Sequence, residues 1–194
     1  MTFDAIVLAG GSSARFGGRD KALVEINGMT LLERAVNATA GARNVIIVGP
    51  ERAVERDVSW VTEDPPGSGP AAALAAGLAV ITSDVVAVLA VDMPLMTRAV
   101  VELLVESVAA RDGACLVGDD GRVQYLAAAY RSRALRQAAV GNLQGSSVRA
   151  LLESLDVIGV LDRDASLDCD TPGAASRIAV IEKARHAERK ARGV

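Results

Sequence analysis

The sequence predicts an α/β fold in which a mostly parallel, doubly wound sheet carries helices on both faces. Short apolar runs rich in β-branched residues recur along the 194-residue chain, and helical patterns lie between them. The runs are continuously apolar rather than alternating, which is typical of parallel strands covered on both faces. No linker or repeat interrupts the pattern, so we predict that residues 1–194 form a single domain.

Seven segments are predicted as strands. Phe3–Ala9 and Val85–Val91 are the most apolar, and Val85–Val91 is expected to be fully buried. The others are Val45–Val48, Val58–Val61, and the weaker candidates Cys115–Val117, Tyr125–Tyr130 and Val157–Leu161. Ligands of open α/β sheets bind at the carboxyl ends of the strands, so we look for function at that edge.

Capping residues place the predicted helices between these strands. Thr30 and Glu33 form a capping box, and Gly41 is the predicted stop of the helix that follows. The Ala-rich segment Pro70–Thr82 predicts a second helix. Further helices are predicted to begin at Thr97 (ending near Gly113), at Ser146 or Ser147, and at Asp170 or Thr171 followed by Pro172.

Composition excludes several classes of function. The net charge is −3 and the aromatic content is 3%, so nucleic-acid binding is not expected. Cys115 and Cys169 lack metal-ligand spacing and are expected to be reduced and buried, and the one histidine, His186, lies in a charged stretch. The apolar run Val85–Val91 is too short to cross a bilayer, and no signal peptide is evident. We therefore expect no membrane association and a cytoplasmic location.

The stretch from Glu182 to Arg192 is rich in Lys and Arg. We interpret it, at about 182–194, as the solvated end of a helix whose dipole favours positive charge at that end. A phosphate-binding or partner-binding tail is the alternative.

The segment after the first predicted strand carries the strongest functional signal. Paired glycines at a strand end let backbone N–H groups approach an anion closely, and Arg15 and Lys21 add charge suited to a triphosphate. Neither the Walker motif nor the dinucleotide glycine motif is present. The alternative is a flexible Gly/Ser turn with two surface cations. The predicted nucleotide-binding residues of this segment are Leu8, Ala9, Gly10, Gly11, Ser12, Ser13 and Lys21.

Two carboxylates are candidate magnesium ligands. Asp92 follows the most buried predicted strand and precedes Met93-Pro94. Mg²⁺ prefers one or two carboxylates together with substrate phosphates and water, so Asp92 is the leading candidate ligand, and a helix-capping or turn aspartate before Pro94 is the alternative. Asp170 is either a second ligand or the cap of the last helix, and both interpretations stay open.

These motifs resemble a known family, the molybdenum cofactor guanylyltransferases. Phe16 stands where the family usually has Met, and Gly18 is additional. Val91-Asp92-Met93-Pro94 looks like the family's metal-binding motif. The signature loop of the family is matched by Leu8-Ala9-Gly10-Gly11, Ser13, Arg15, Gly17, Asp20 and Lys21.

The resemblance implies a Rossmann-like nucleotidyltransferase that moves GMP from GTP to the terminal phosphate of molybdopterin, with Mg²⁺ as cofactor. Arg15 would hold the β and γ phosphates, Lys21 the α-phosphoryl group, and Asp92 the metal. Asp64, in a Gly/Pro-rich loop, matches a nucleotide-contacting residue of the family and would bind either the base or the ribose. Molybdoenzyme maturation proteins are further expected partners.

Some positions depart from the family pattern. Aspartates occupy two positions of the segment Asp168-Cys169-Asp170-Thr171-Pro172 at which the guanylyltransferases often carry asparagines. Aspartates at these positions are commoner in relatives such as the cytidylyltransferases. The stretch 45–50 lacks the Asn that relatives can place after the second strand. A sibling nucleotidyltransferase, for cytidylyl transfer or for another phosphorylated acceptor, and a non-catalytic nucleotide-binding module therefore remain as alternatives.

Overall fold

The computed structural model describes residues 1–10, 18 and 20–192. Within these residues the chain folds into three layers, a seven-stranded sheet with helices packed on both of its faces. This arrangement confirms the predicted α/β class. No helix in the described part of the chain combines the length and the apolar character needed to cross a membrane.

The sheet is mostly parallel. Its strand order is β5-β4-β1-β6-β8-β7-β9, and among the described strands β8 runs antiparallel to both of its neighbours, β6 and β7. Strands β2 and β3 form a separate hairpin. The strands are β1 (Asp4–Leu8), β2 (Glu25–Ile26), β3 (Met29–Thr30), β4 (Val45–Val48), β5 (Ser59–Val61), β6 (Val85–Ala90), β7 (Gly113–Val117), β8 (Val123–Arg131) and β9 (Val157–Leu161).

Most of the helices begin at a residue whose side-chain hydroxyl caps the first turn, as the sequence predicts. Thr30 and Glu33 form the capping box, and the hydroxyls of Thr97 and Ser147 accept hydrogen bonds from the first turns of their helices. The helices are α1 (Leu31–Ala38), α2 (Pro70–Val80), α3 (Arg98–Ser107), α4 (Ser132–Ala138), α5 (Val148–Leu152) and α6 (Pro172–Arg192).

Alternate residues of the central strands divide the core into two layers. In β1, which is buried along its whole length, Ala5 and Val7 face the layer that contains α1, α3 and α6. Ile6 and Leu8 face the layer that contains α2, α4 and α5. A strand covered on both faces in this way must be continuously apolar, which is the pattern seen in the sequence.

Several element boundaries differ from the prediction. Helix α2 ends at Val80 rather than at Thr82, and α3 ends at Ser107 rather than near Gly113. Gly113 instead begins β7, where an added Cβ would lie 2.5 Å from the ring of Tyr130. Helix α1 ends at Ala38 with Thr39 as its C-cap, so the position after the cap is residue 40 and the predicted stop at Gly41 is one residue late.

Two short elements have no counterpart in the prediction. The β2–β3 hairpin turns through Asn27 and Gly28, both with positive φ, as two-residue hairpin turns require. Helix α4 follows β8 directly and lacks a side-chain cap, so no local signal separates it from the strand. Each element is short and is held mainly by its contacts with neighbours.

The carboxylate of Asp4 ties the start of β1 to the segment after α2. Asp4 is fully buried, and it accepts hydrogen bonds from the Thr82 amide at 2.7 Å, the Ser83 amide at 2.9 Å and the Asn44 side chain at 2.9 Å. Burial opposes ionisation, but these hydrogen bonds outweigh it and lower the pKa of Asp4 below its usual value. The same contacts explain why α2 stops before Thr82.

We expect Asp4→Asn to lower the free energy of unfolding by about 2 kcal/mol at pH 7, the usual size of a charge-assisted hydrogen-bond effect. A lowered pKa stabilises the fold above the unfolded-state pKa of about 4, and this stabilisation is lost as the pH falls through the folded-state pKa. The difference between the variant and the wild type should therefore shrink below about pH 4. Urea unfolding at pH 7 and at pH 3 measures it, and an equal difference at both pH values would contradict the assignment.

Candidate active site

The carboxyl ends of four parallel strands meet at one edge of the sheet. Backbone hydrogen bonds continue the ladder past these ends, from the Ala9 amide to Val48 O at 2.9 Å and from the Val91 amide to Leu8 O at 3.0 Å. Ala9-Gly10, the residues after β4 and Asp92 are therefore held side by side. This is the edge at which the sequence predicts the nucleotide site.

The described start of the first loop agrees with a backbone anion site. Leu8 and Ala9 are buried, and Gly10 is exposed. Among the described residues, no atom lies closer than 3.9 Å to a Cβ added at Gly10, so these residues leave room for a ligand beside its backbone. The predicted sites Gly11, Ser12, Ser13 and Arg15 lie outside the described residues, and their roles stay predictions.

Gly49, just after β4, supports this loop from behind. Its φ is +143°, and an added Cβ would lie 2.9 Å from Gly10 N and 3.0 Å from the carbonyl carbon of Ala9. This glycine is not among the site residues that the sequence predicts, since the family pattern points to an Asn in this stretch. A Gly-Pro pair directly after a buried strand was the signal that could have found it.

We expect Gly49→Ala to weaken GTP binding and to lower the free energy of unfolding by about 1–3 kcal/mol, because the new methyl group pushes on the backbone of Ala9-Gly10. Calorimetric titration with GTP and urea unfolding measure the two effects. Gly28→Ala is the matched control, since Gly28 also has positive φ but has no atom within 4 Å of an added Cβ. Equal GTP affinity in the two variants would contradict a supporting role for Gly49.

Lys21 connects two carboxylates at this edge. Its Nζ lies 2.8 Å from Asp92 Oδ2 and 2.5 Å from Asp170 Oδ1. All three side chains are partly buried. The structure thus brings together three predicted site residues that are far apart in sequence.

Asp170 does not cap the last helix. The Thr171 hydroxyl accepts the hydrogen bond from the Ala174 amide at 3.1 Å, so the cap of α6 is Thr171. The Asp170 carboxylate points to Lys21 instead. The Cys169 amide donates to the backbone carbonyl of Asp92 at 2.8 Å, and this bond holds the segment before α6 beside the end of β6.

Two titratable groups at this edge, Lys21 and Asp168, have shifted pKa values. Partial burial opposes the charged form of Lys21, but hydrogen bonds to Asp170 and Asp92 outweigh it and raise the pKa of Lys21. Partial burial, together with the charges of Asp170 and Asp92, raises the pKa of Asp168. The charge of Lys21 lowers the pKa of Asp168, but this effect is smaller than that of burial and the neighbouring carboxylates.

The donor set fits a hard divalent cation. The described residues contain no group of three or more His, Cys, Asp or Glu side chains arranged to hold a metal ion. Two carboxylates nevertheless converge on one cationic position, which the Lys21 ammonium takes. Mg²⁺ commonly uses one or two carboxylates and completes its shell with phosphate and water oxygens.

Asp64 lies exposed at the rim of a cavity of about 580 Å³. The loop that carries it is fixed by hydrogen bonds from the Gly67 amide to Glu63 Oε1 at 3.0 Å and from the Ser68 hydroxyl to Pro65 O at 2.5 Å. One face of α2 and residues 141–144 complete the cavity wall. Asp64 is thus placed where a ligand could reach it, whereas Glu63 stabilises the loop through its hydrogen bond with the Gly67 amide.

Comparisons with known proteins identify the family to which this fold belongs. The profile of the MobA-like NTP transferase domain matches residues 5–158. A probable molybdenum cofactor guanylyltransferase from Natronomonas pharaonis is 28% identical over 174 residues, which cover 84% of this chain and 85% of that protein. Another, from Synechococcus elongatus, is 42% identical over 102 residues, which cover 48% of this chain and 52% of that protein.

The fold has a close structural neighbour. Molybdopterin-guanine dinucleotide biosynthesis protein A from Archaeoglobus fulgidus superposes with a TM-score of 0.75 over 93% of this chain and 98% of that chain. The two sequences are 22% identical, so this likeness concerns the fold. The profile match at 5–158 covers well over half of the chain and includes Lys21, Asp64 and Asp92. The chain therefore belongs to the family of MobA-like NTP transferase domains.

Proposed function

We propose that this protein transfers GMP from GTP to the terminal phosphate of molybdopterin and releases pyrophosphate. The observation that carries the proposal is the contact of Lys21 with both Asp92 and Asp170, at the edge of the sheet where the exposed Gly10 begins the first loop. An ammonium and two carboxylates at the carboxyl edge of the sheet are the groups that phosphoryl chemistry requires. The two guanylyltransferase relatives direct the choice of GTP and of the acceptor.

The reaction needs positioning and charge neutralisation more than covalent help. An oxygen of the acceptor phosphate attacks the α-phosphorus of GTP in line, and the bond from that phosphorus to the pyrophosphate oxygen breaks. The acceptor phosphate is already ionised near neutral pH, so no side chain has to remove a proton. Backbone amides at Gly10 and Gly11 would hold phosphate oxygens, and Arg15 would hold the β and γ phosphates.

Lys21 and the two carboxylates would share the remaining work. We propose that Asp92 and Asp170 hold Mg²⁺, which when bound neutralises charge on the triphosphate. The Lys21 ammonium then stabilises the α-phosphoryl group as negative charge develops on its oxygens.

The remaining parts of the proposal concern recognition and cellular context. Asp64 would bind the base or the ribose from the rim of its cavity, where a carboxylate can accept two hydrogen bonds from the edge of guanine. We place the protein in the cytoplasm, where it would pass the finished cofactor to molybdoenzyme maturation proteins.

A nucleotide panel tests the proposal first. Calorimetric titration of the protein with GTP, CTP, ATP and UTP in the presence of Mg²⁺ should show a clear preference for GTP. Preference for CTP would instead favour the sibling cytidylyltransferase, to which the Asp168-Cys169-Asp170 segment is closer. Binding of GTP without pyrophosphate release in the presence of molybdopterin would favour a non-catalytic nucleotide-binding module.

A further inference from the structure

We infer that Arg52 is a positioning residue that fixes Lys21 by clamping Asp20, the residue before it. The inference rests on the proposed function, because it concerns how that site is held ready. Arg52 lies four residues beyond the end of β4, outside every motif that the sequence singled out. An ordinary arginine in a connecting segment gives no signal of its own, so only the fold reveals its partner.

The Arg52 guanidinium forms a bidentate ion pair with the Asp20 carboxylate. Nε lies 2.6 Å from Asp20 Oδ2, and Nη2 lies 3.0 Å from Asp20 Oδ1. The third nitrogen, Nη1, donates to Pro50 O at 2.9 Å, so the guanidinium is itself fixed. The Arg52 side chain is 10% exposed and the Asp20 side chain is 37% exposed, so solvent reaches the carboxylate but hardly reaches the arginine. A bidentate fork of this kind fixes geometry as well as adding energy.

Asp20 is also hydrogen-bonded to the turn that carries Lys21, so fixing Asp20 fixes this turn as well. Its Oδ1 also accepts the Ala22 amide at 3.0 Å, which caps the short 3₁₀ turn Lys21–Leu23. The Leu23 amide donates to Asp20 O at 3.1 Å, and Ala22 is buried in the core. The turn is therefore held from the Arg52 side and from the core side at once.

The fixed turn places the Lys21 side chain at the carboxyl edge of the sheet. From it the side chain reaches Asp92 after β6 and Asp170 before α6. The carboxylates alone could attract a mobile lysine, but in the proposed reaction they would hold Mg²⁺, and the fixed turn would then keep the ammonium near the α-phosphoryl group. Arg52 fixes the turn from a distance, because in the described part of the chain its hydrogen bonds go to Asp20 and Pro50 and not to Lys21 or Asp92. Small displacements of a catalytic group are costly, so the effect on turnover can be large.

Matched substitutions in one segment test the inference. Arg52→Gln removes the fork, whereas Arg56→Gln removes an arginine that donates to Thr39 O at 3.0 Å and to Ala42 O at 2.9 Å. We expect Arg52→Gln to lower kcat for GMP transfer about 10- to 100-fold, with a smaller change in KM for GTP, and Arg56→Gln to stay within about twofold of the wild type. Arg52→Lys, which keeps the charge but not the fork, should recover part of the loss.

A double-mutant cycle shows whether Arg52 acts through Asp20. Asp20→Asn keeps an acceptor for the Ala22 amide but loses the charged partner of Arg52. If Arg52 acts through Asp20, adding Arg52→Gln to Asp20→Asn should lower kcat by less than about twofold. Fully additive losses would overturn the route through Asp20.

Lysine labelling gives a second readout that needs no catalysis. The chain has three lysines, Lys21, Lys183 and Lys190, so mass spectrometry can follow each one after brief reductive methylation. In Arg52→Gln, Lys21 should label several-fold faster relative to Lys183 and Lys190 than in the wild type, and in Arg56→Gln it should not. Unchanged labelling and unchanged kcat in Arg52→Gln would overturn the inference. A wild-type protein that transfers no GMP would instead overturn the proposed function, while the labelling would still decide the role of Arg52.

Discussion

Asp92→Asn is expected to lower the rate of GMP transfer by about 10³-fold or more while the protein stays folded. The change removes a charge that faces Lys21 at 2.8 Å and that we propose holds Mg²⁺. The backbone carbonyl of Asp92 can still accept the hydrogen bond from the Cys169 amide in this variant, so the backbone at the end of β6 should keep its position. Asp92→Ala should have the same effect. Pyrophosphate release with GTP and molybdopterin measures the loss, and urea unfolding checks the fold.

The same strand offers a matched control for Asp92. Asp84 is an exposed aspartate that precedes β6, at the edge opposite the site, and its backbone carbonyl accepts the Ser132 amide. Asp84→Asn should leave turnover unchanged. Near-normal turnover in Asp92→Asn, or an equal loss in both variants, would refute the assignment of Asp92.

Lys21→Met should also abolish transfer, and it should change metal binding in the opposite direction. Without the ammonium, Asp92 and Asp170 lose the cation that now lies between them, and their repulsion favours a divalent ion in its place. We expect kcat to fall by about 10²- to 10³-fold. We also expect Mn²⁺, used as a spectroscopic substitute for Mg²⁺, to bind the nucleotide-free variant several-fold more tightly than the wild type. Lys21→Ala should behave in the same way.

Titration followed by electron paramagnetic resonance measures the Mn²⁺ affinity, and pyrophosphate release measures the activity. Lys183→Met, on an exposed part of α6, is the control and should change neither quantity. A parallel fall in activity and Mn²⁺ affinity in Lys21→Met would indicate a collapsed site. It would contradict the view that the lysine and the metal compete for the same carboxylates.

Local patterns predicted the frame of the site well. The continuously apolar run of β6 predicted a buried strand, and Asp92 directly after it predicted a carboxylate at the functional edge. The strand and capping signals also gave β9 and the starts of α1, α3 and α5 correctly. These signals succeed because strand burial and helix capping are decided by residues close together in the chain.

Long-range contacts explain what the sequence could not resolve. Asp170 lies beside Lys21 because the Cys169 amide reaches the Asp92 carbonyl, a contact that no local pattern encodes. The reversal of β8 depends on its pairing with β6 and β7. Gly49 matters because the backbone of Ala9-Gly10 packs against it. Each of these features depends on residues brought together only by folding.

The most direct test of guanylyl transfer follows the α-phosphorus itself. The wild-type protein is incubated with Mg²⁺, molybdopterin and GTP labelled with ³²P at the α position, and the products are separated by chromatography. We predict that the label appears in a guanine dinucleotide form of molybdopterin, and that Asp92→Asn produces none. A wild-type protein that binds GTP yet leaves the label in GTP, or that transfers label from CTP in preference to GTP, would contradict the assignment.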